Sequence, residues 1–185
     1  MRRFYVVYKI GLKLRKLDLG KEGIVNISEN KKFLGINYCK KEEKYEGCAY
    51  SVYTISGDKL WSIDEPKGCV DAIPSPDGEY GVGFIHCGGW DFLEGQFVYY
   101  NKNGVRIYYE NLENVIYPNI GFSDDGNFFA LSVGKGDTKA ILILFNREGK
   151  KLWEKGIERV PAGSKKGVSA GEVKVSPNGS YIVAR

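Results

Sequence analysis

The chain repeats itself, and this repeat constrains the fold more than any other feature. Four stretches share a serine that is followed five residues later by an aromatic residue, and three of the four carry Asp-Gly or Asn-Gly in between. The serines are Ser28, Ser75, Ser123 and Ser176, and the aromatic residues are Phe33, Tyr80, Phe128 and Tyr181. Asp-Gly and Asn-Gly favour tight turns that need a positive φ. Each stretch therefore predicts a strand, a turn and a second strand.

A second kind of hairpin alternates with the first. It centres on a glycine with apolar residues seven and five positions before it, which is the spacing of one face of a strand. The glycines are Gly11, Gly57, Gly104 and Gly149, spaced 46, 47 and 45 residues apart. Three residues after each glycine stands an aliphatic residue, namely Leu14, Leu60, Ile107 and Leu152. We expect the repeat anchors to be structural, with Leu60 and Leu152 in the core.

Two hairpins in each repeat give four antiparallel strands in about 46 residues, which is the size and content of a β-propeller blade. The sequence thus predicts an all-β fold, with four blades in a single domain over residues 1–185. An irregular sandwich or barrel would not need a fixed period, and a helical solenoid would need helices. The chain could also be half of a larger propeller.

The motifs resemble those of known propellers. The sequence Ser-Pro-Asp-Gly-Glu-Tyr at 75–80 resembles the hairpin of WD40-like and TolB-like propellers. The sequences GDKLW at 57–61 and GKKLW at 149–153 resemble the repeat of PQQ-like, BamB-like propellers. The resemblance implies the propeller fold and carries almost no functional information. Because Trp61 and Trp153 recur at equal repeat positions, they indicate blade packing, and we expect no PQQ and no other cofactor.

The phase of the repeat suggests how a ring would close. If the strands of a blade are called a to d from the axis outward, the serine hairpins are a-b and the glycine hairpins are c-d. The chain begins with a c-d pair at 4–18 and ends with an a-b pair at 171–185. Joining them would complete a fourth blade and remove exposed strand edges. We expect closure within one chain, which gives a monomer; two chains in an eight-bladed ring, as a homodimer, are the alternative.

Charge and hydropathy exclude several classes of protein. The net charge is +4, from 27 basic and 23 acidic residues that are scattered along the chain. This distribution does not indicate a nucleic-acid-binding surface. No apolar run approaches the roughly 18 residues of a membrane helix. The segment 4–10 is too short and too charged to be the core of a signal peptide. We therefore expect a cytoplasmic protein, or an extracytoplasmic one if the chain is a fragment.

The irregular loops are where a propeller usually carries its function. One of them holds His86, Trp90 and Asp91, whose imidazole, indole and carboxylate could line a polar ligand pocket. Arg159 in the loop 156–171 is a fourth candidate for ligand binding. Because His86 is the only histidine, mechanisms that need two are excluded. We predict no catalytic residues and no metal site.

Four cysteines complete the candidate residues. Cys39 and Cys48 flank one b-c loop, whereas Cys69 and Cys87 lie at the open end of an a-b hairpin, so either pair could form a disulfide. No Cys-x-x-Cys spacing occurs, which argues against zinc. Without a secretory leader, reduced thiols are the default expectation.

Regular repeats without a nucleophile constellation predict a non-enzymatic binding or scaffold protein. Its loops would present one face to a partner, either a protein or a small molecule. One alternative is an enzyme or small-ligand binder that uses loop 86–95 and the axial funnel. Another is a structural piece of a longer repeat array.

Overall fold

The computed structural model describes residues 4–9, 12–18, 23–41, 46–67, 69–86, 94–113, 115–135, 139–158 and 173–184. All regular elements within these ranges are strands, which confirms the predicted all-β class. Within them, no helix has the length and apolar character to cross a membrane.

The strands follow one another through tight turns and short connections. In chain order they are β1 (Phe4–Lys9), β2 (Leu12–Asp18), β3 (Gly23–Ile27), β4 (Phe33–Lys41), β5 (Glu46–Thr54), β6 (Lys59–Lys67), β7 (Cys69–Pro74), β8 (Tyr80–His86), β9 (Glu94–Asn101), β10 (Arg106–Glu113), β11 (Val115–Phe122), β12 (Phe128–Lys135), β13 (Lys139–Asn146), β14 (Lys151–Glu158), β15 (Val173–Val175) and β16 (Ile182–Ala184).

Three four-stranded sheets contain β3 to β6, β7 to β10 and β11 to β14, and in each of them spatial order follows chain order. The strand pairs of the first and third sheets and the β7–β8 pair of the second are antiparallel, for example Asn37 with Tyr50 in the first sheet. Each sheet joins a serine hairpin to a glycine hairpin in the predicted a-b-c-d order. The strands β1 and β2 form a separate two-stranded sheet, and β15 and β16 form another. The fourth four-stranded blade that the sequence predicts is thus not among the described sheets.

Serine hairpins turn through a shared hydrogen-bond network. In the turn after β7, the Ser75 hydroxyl accepts a hydrogen bond from the Tyr80 amide at 3.2 Å and donates one to Asp77 Oδ1 at 2.6 Å. The Gly78 amide donates to the Ser75 carbonyl, and Gly78 has a φ of 73°. The turns at Ser123 and Ser176 repeat this arrangement with Asp125 and Asn178. The turn chemistry read from the sequence is confirmed.

The chain divides into two compact units, each with its own apolar core. Unit 1 comprises residues 1–90 and 96–109, and unit 2 comprises 91–95 and 110–185. In unit 1, one face of β5 and β6 packs on the next sheet; the core residues are Tyr50, Val52, Trp61, Ile63, Val70, Ala72, Ile85, Val98 and Tyr100. In unit 2, Ala130, Leu142 and Leu144 pack with Val173 and Val175.

The expectation that Leu60 and Leu152 pack in the core is wrong, because both side chains are exposed, as is that of Ile107 at the equivalent repeat position. The ladders give the reason for the two leucines. In β6, Trp61 pairs with Val52 and Lys59 with Tyr53, so Leu60 is the extra residue of a β-bulge. Leu152 occupies the same position in β14. A bulge shifts the alternation of side chains, so Trp61 rather than Leu60 points inward.

Candidate functional site

The serine and glycine turns lie at one end of each four-stranded sheet. Because the strands are antiparallel, the remaining connections start and finish at the opposite end, the loop end. These connections include residues 42–45, 68, 87–93, 136–138 and 159–172, which lie outside the described residues. Connections at the end of a rigid sheet are the usual position of binding residues.

Of the four residues predicted to bind a ligand, His86 alone lies within the described ranges. His86 is the last residue of β8, and its backbone is paired with Cys69 at the start of β7. Trp90, Asp91 and Arg159 lie outside the described residues.

Cys48 forms a disulfide bond, contrary to the expectation of reduced thiols. Its direct neighbour across the β4–β5 ladder is Cys39. Directly opposed residues of an antiparallel pair lie about 4.5–5.5 Å apart, within the separation that a disulfide needs. Cys69 begins β7, and Cys87 lies outside the described residues.

A polar bridge joins the first two sheets of unit 1. The Asn26 side-chain amide, on the innermost strand β3, donates hydrogen bonds to Asp71 Oδ1 at 2.7 Å and to the Ala72 carbonyl oxygen at 3.0 Å. Both acceptors are on β7, the innermost strand of the next sheet. One amide group therefore fixes the spacing of the two inner strands and occupies one oxygen of the Asp71 carboxylate.

The Tyr50 hydroxyl lies close to this bridge. Its side chain is fully buried, and its oxygen has no hydrogen-bond partner among the residues that the structure describes. A Cβ atom added to Gly35 would come within 2.6 Å of that oxygen, and one added to Gly81 within 3.1 Å. Two glycines thus make room for the phenol. Burial, and secondarily the negative charge of Asp71, raise the pKa of the Tyr50 hydroxyl well above its ordinary value, so it stays protonated.

These groups do not form a recognisable catalytic set. The described residues contain no group of three or more His, Cys, Asp or Glu side chains that could hold a metal ion. A protonated phenol and a carboxylate engaged by an amide are neither a nucleophile with its base nor an oxyanion hole. Their arrangement holds two sheets together.

The sequence analysis missed this bridge, and the repeat gives only a weak signal for it. Four residues before the turn serine stand Ile24, Asp71, Asn119 and Glu172. Two residues before it stand Asn26, Ile73, Gly121 and Lys174. Because both positions are polar in more than one repeat, the pattern does not single out Asn26 and Asp71 as partners.

Comparison with known proteins gives a fold and no family. No protein-family model matches the chain, and no curated protein matches it. Among solved structures, one described as the crystal structure of the eukaryotic initiation factor aligns with 74% of this chain, at 18% identity and a TM-score of 0.52. The chain has a β-propeller-like fold.

A crystal structure of TolB from Acinetobacter baumannii also aligns, over 92% of this chain, at 11% identity and a TM-score of 0.47. The chain spans only 32% of the initiation-factor chain and 40% of the TolB chain. At these identities the comparison identifies an architecture and no activity.

Proposed function

We propose that the protein is a non-enzymatic β-propeller scaffold whose loop end binds a protein partner. The observation that carries the proposal is that each four-stranded sheet has its tight, hydrogen-bonded turns at one end, and its strands meet their other connections at the opposite end. Such a sheet is a rigid support, and variable loops over it suit recognition.

In this proposal residues 1–185 form four blades of about 46 residues, like the WD40-like and PQQ-like repeats that their motifs resemble. The fourth blade combines β15 and β16 as inner strands with β1 and β2 as outer strands. Two features support this combination: the phases of the two hairpins complement each other, and each forms only a two-stranded sheet by itself. A four-stranded blade would remove the strand edges that both hairpins leave open.

The test compares loop-end variants with turn-end variants. The first variant carries His86→Ala, Asp91→Ala and Arg159→Ala. The matched control carries Asp124→Ala and Glu148→Ala, which change exposed residues of two turns at the opposite end. Each protein is used as bait in affinity purification from the source cells, with quantitative mass spectrometry of the captured proteins.

We expect a protein captured by the wild type to be lost with the loop-end variant and kept with the control. Capture that survives the loop-end changes would contradict the proposal. A small-molecule library screened by thermal shift provides the opposing outcome. A compound that stabilises the wild type and has no effect on the loop-end variant would favour a small-ligand site at loop 86–95 instead.

A further inference from the structure

The chain contains two Asn-Gly pairs, Asn103–Gly104 and Asn178–Gly179. Each pair ends a four-residue turn at the tip of a hairpin, in which the glycine amide donates a hydrogen bond to the carbonyl oxygen of the first turn residue. These two hydrogen bonds measure 2.8 and 2.9 Å, and the two glycines have φ values of 72° and 67°. The backbones of the two turns therefore match, and the asparagine is the third residue in both.

The asparagine side chains of the two turns differ in what holds them. Oδ1 of Asn178 accepts hydrogen bonds from the Ser176 hydroxyl at 2.9 Å and from the Ser180 amide at 3.1 Å. The side chain of Asn103 is exposed, and it makes no hydrogen bond to any residue that the structure describes. The amide group of Asn178 is therefore fixed to its turn, whereas that of Asn103 is free to rotate.

The difference arises because the two kinds of hairpin cap their turns with different residues. In the serine turns the third residue accepts the capping hydrogen bonds, as Asn178 does. In the glycine turn of the second sheet the first residue, Asn101, has this role, and its Oδ1 accepts hydrogen bonds from the amides of Asn103 and Val105, both at 3.0 Å. Asn146 accepts the equivalent bond in the third sheet. The turn at 101–104 thus leaves the side chain of its third residue without a structural role.

We propose that Asn103 is a site of spontaneous deamidation and isoaspartate formation, and that the turn of Asn178 protects the other Asn-Gly pair. The Gly104 backbone nitrogen loses its proton to hydroxide and attacks Cγ of Asn103. A C–N bond forms, and the side-chain nitrogen takes up a proton and leaves as ammonia. Because glycine has no Cβ, its nitrogen is open to this approach.

Water completes the reaction. It adds to one of the two carbonyl carbons of the five-membered imide, and the ring opens to give either aspartate or isoaspartate. One water molecule is consumed and one ammonia is released, so the conversion needs no oxidant, reductant or enzyme. Asparagine is among the thermolabile residue types for this kind of reason.

The modification alters the junction between the first and second sheets. The imide nitrogen carries no hydrogen, so the bond from Gly104 to the Asn101 carbonyl oxygen is lost. Isoaspartate then adds a methylene group to the main chain of a closely packed turn, since a Cβ atom added to Gly104 would lie 2.9 Å from Cγ2 of Ile63 on β6. Deamidation therefore loosens the contact of the β9–β10 hairpin with the preceding sheet.

Peptide mapping of the aged full chain tests the proposal. The protein is incubated at neutral pH in heavy-oxygen water, once folded and once unfolded in guanidinium chloride. Mass spectrometry with fragmentation that distinguishes isoaspartate from aspartate follows both Asn-Gly peptides. We expect Asn103 to convert at least about tenfold faster than Asn178 in the folded chain, because two hydrogen bonds of Asn178 must break first. In the unfolded chain the ratio of the two rates should fall towards one, and each product should carry one heavy oxygen atom.

Two variants sharpen the test. Asn103→Ser is the matched control, because Ser56 stands before the glycine of the equivalent hairpin. An isoaspartate-specific carboxyl methyltransferase with labelled S-adenosylmethionine should label the aged wild type and leave most of the aged Asn103→Ser protein unlabelled. Ser176→Ala removes one of the two hydrogen bonds to Asn178 and should speed the conversion of Asn178. The deamidated wild type should unfold at a lower temperature than the fresh protein, whereas ageing should not change the unfolding temperature of Asn103→Ser.

Equal conversion of the two asparagines in the folded chain would overturn the proposal, and so would faster conversion of Asn178. An unchanged Asn103 in the folded chain, after the unfolded chain has converted at both sites, would show that the turn backbone is protection enough. A deamidated protein that unfolds at the same temperature as the fresh one would refute the loosening of the β9–β10 hairpin.

Discussion

The indole Nε1 of Trp61 donates a hydrogen bond of 2.7 Å to the carbonyl oxygen of Gly78, and both groups are buried. The bond joins the outermost strand of the first sheet to the serine turn of the second. The Trp61 ring also meets the Tyr50 ring edge-on, with centroids 5.7 Å apart. Tryptophan here is a connector between blades, which explains its place in the repeat without any cofactor.

Replacing Trp61 by Phe should destabilise the protein by about 1–3 kcal/mol, because the Gly78 carbonyl would remain buried without its donor. Urea unfolding followed by circular dichroism measures the change. Leu60→Ala is the matched control on the same strand. Since Leu60 is exposed at the bulge, its truncation should change the free energy of unfolding by less than about 0.5 kcal/mol. Equal losses for the two variants would show that the bulge assignment is wrong.

Tyr50→Phe should raise the free energy of unfolding by about 1 kcal/mol at neutral pH, since it removes a buried hydroxyl that has no partner. Tyr53→Phe, on the same strand but only partly buried, is the control and should have little effect. A loss of stability in Tyr50→Phe would mean that the hydroxyl has a partner after all.

The same residue predicts alkaline destabilisation. Burial, with the Asp71 charge as a second cause, raises the folded-state pKa of Tyr50 above its ordinary value of 10.0, so the folded protein holds this proton more tightly than the unfolded chain. The contribution to stability is complete below pH 10 and is lost as the pH rises further towards the folded-state pKa. The free energy of unfolding should therefore fall less between pH 8 and pH 11 in Tyr50→Phe than in the wild type. An equal fall in both proteins would contradict this role for Tyr50.

The strands were predictable from sequence because turns and periodicity are local properties. The turn at 75–80 is held by hydrogen bonds among its own six residues, which include Ser75, Asp77 and Gly78. Such a local pattern can be recognised from the sequence without knowledge of the tertiary structure. The inward face of the outer strands was not predictable. Whether Leu60 or Trp61 points into the core depends on one extra residue in the pairing of β6 with β5. Such a β-bulge cannot be recognised from the spacing of apolar residues in the sequence.

The Asn26–Asp71 bridge should show energetic coupling. We expect Asn26→Ala and Asp71→Ala each to destabilise unit 1. The double variant should lose less free energy of unfolding than the two single losses added together, by about 0.5–3 kcal/mol. Asn26→Ala should lower the free energy of unfolding more than Asp71→Ala does. The reason is that the Asn26 amide also donates a hydrogen bond to the Ala72 carbonyl oxygen. A double-mutant cycle by urea unfolding measures the coupling. Strict additivity would mean that the two side chains do not interact in solution.

The closest backbone approach in unit 2 gives the sharpest stability test. A Cβ atom added to Gly121 of β11 would lie 1.9 Å from the Val173 carbonyl oxygen of β15. Backbone cannot move aside as a flexible side chain can, so Gly121→Ala should separate the two strands and cost about 1–3 kcal/mol or more. Gly156→Ala is the control, since a Cβ atom there meets nothing within 4 Å. It should be neutral or stabilising by a few tenths of a kcal/mol, because alanine reduces the freedom of the unfolded chain by about that much. Thermal unfolding of the two variants side by side gives the comparison, and a Gly121→Ala protein as stable as the wild type would show that β11 and β15 do not pack as described.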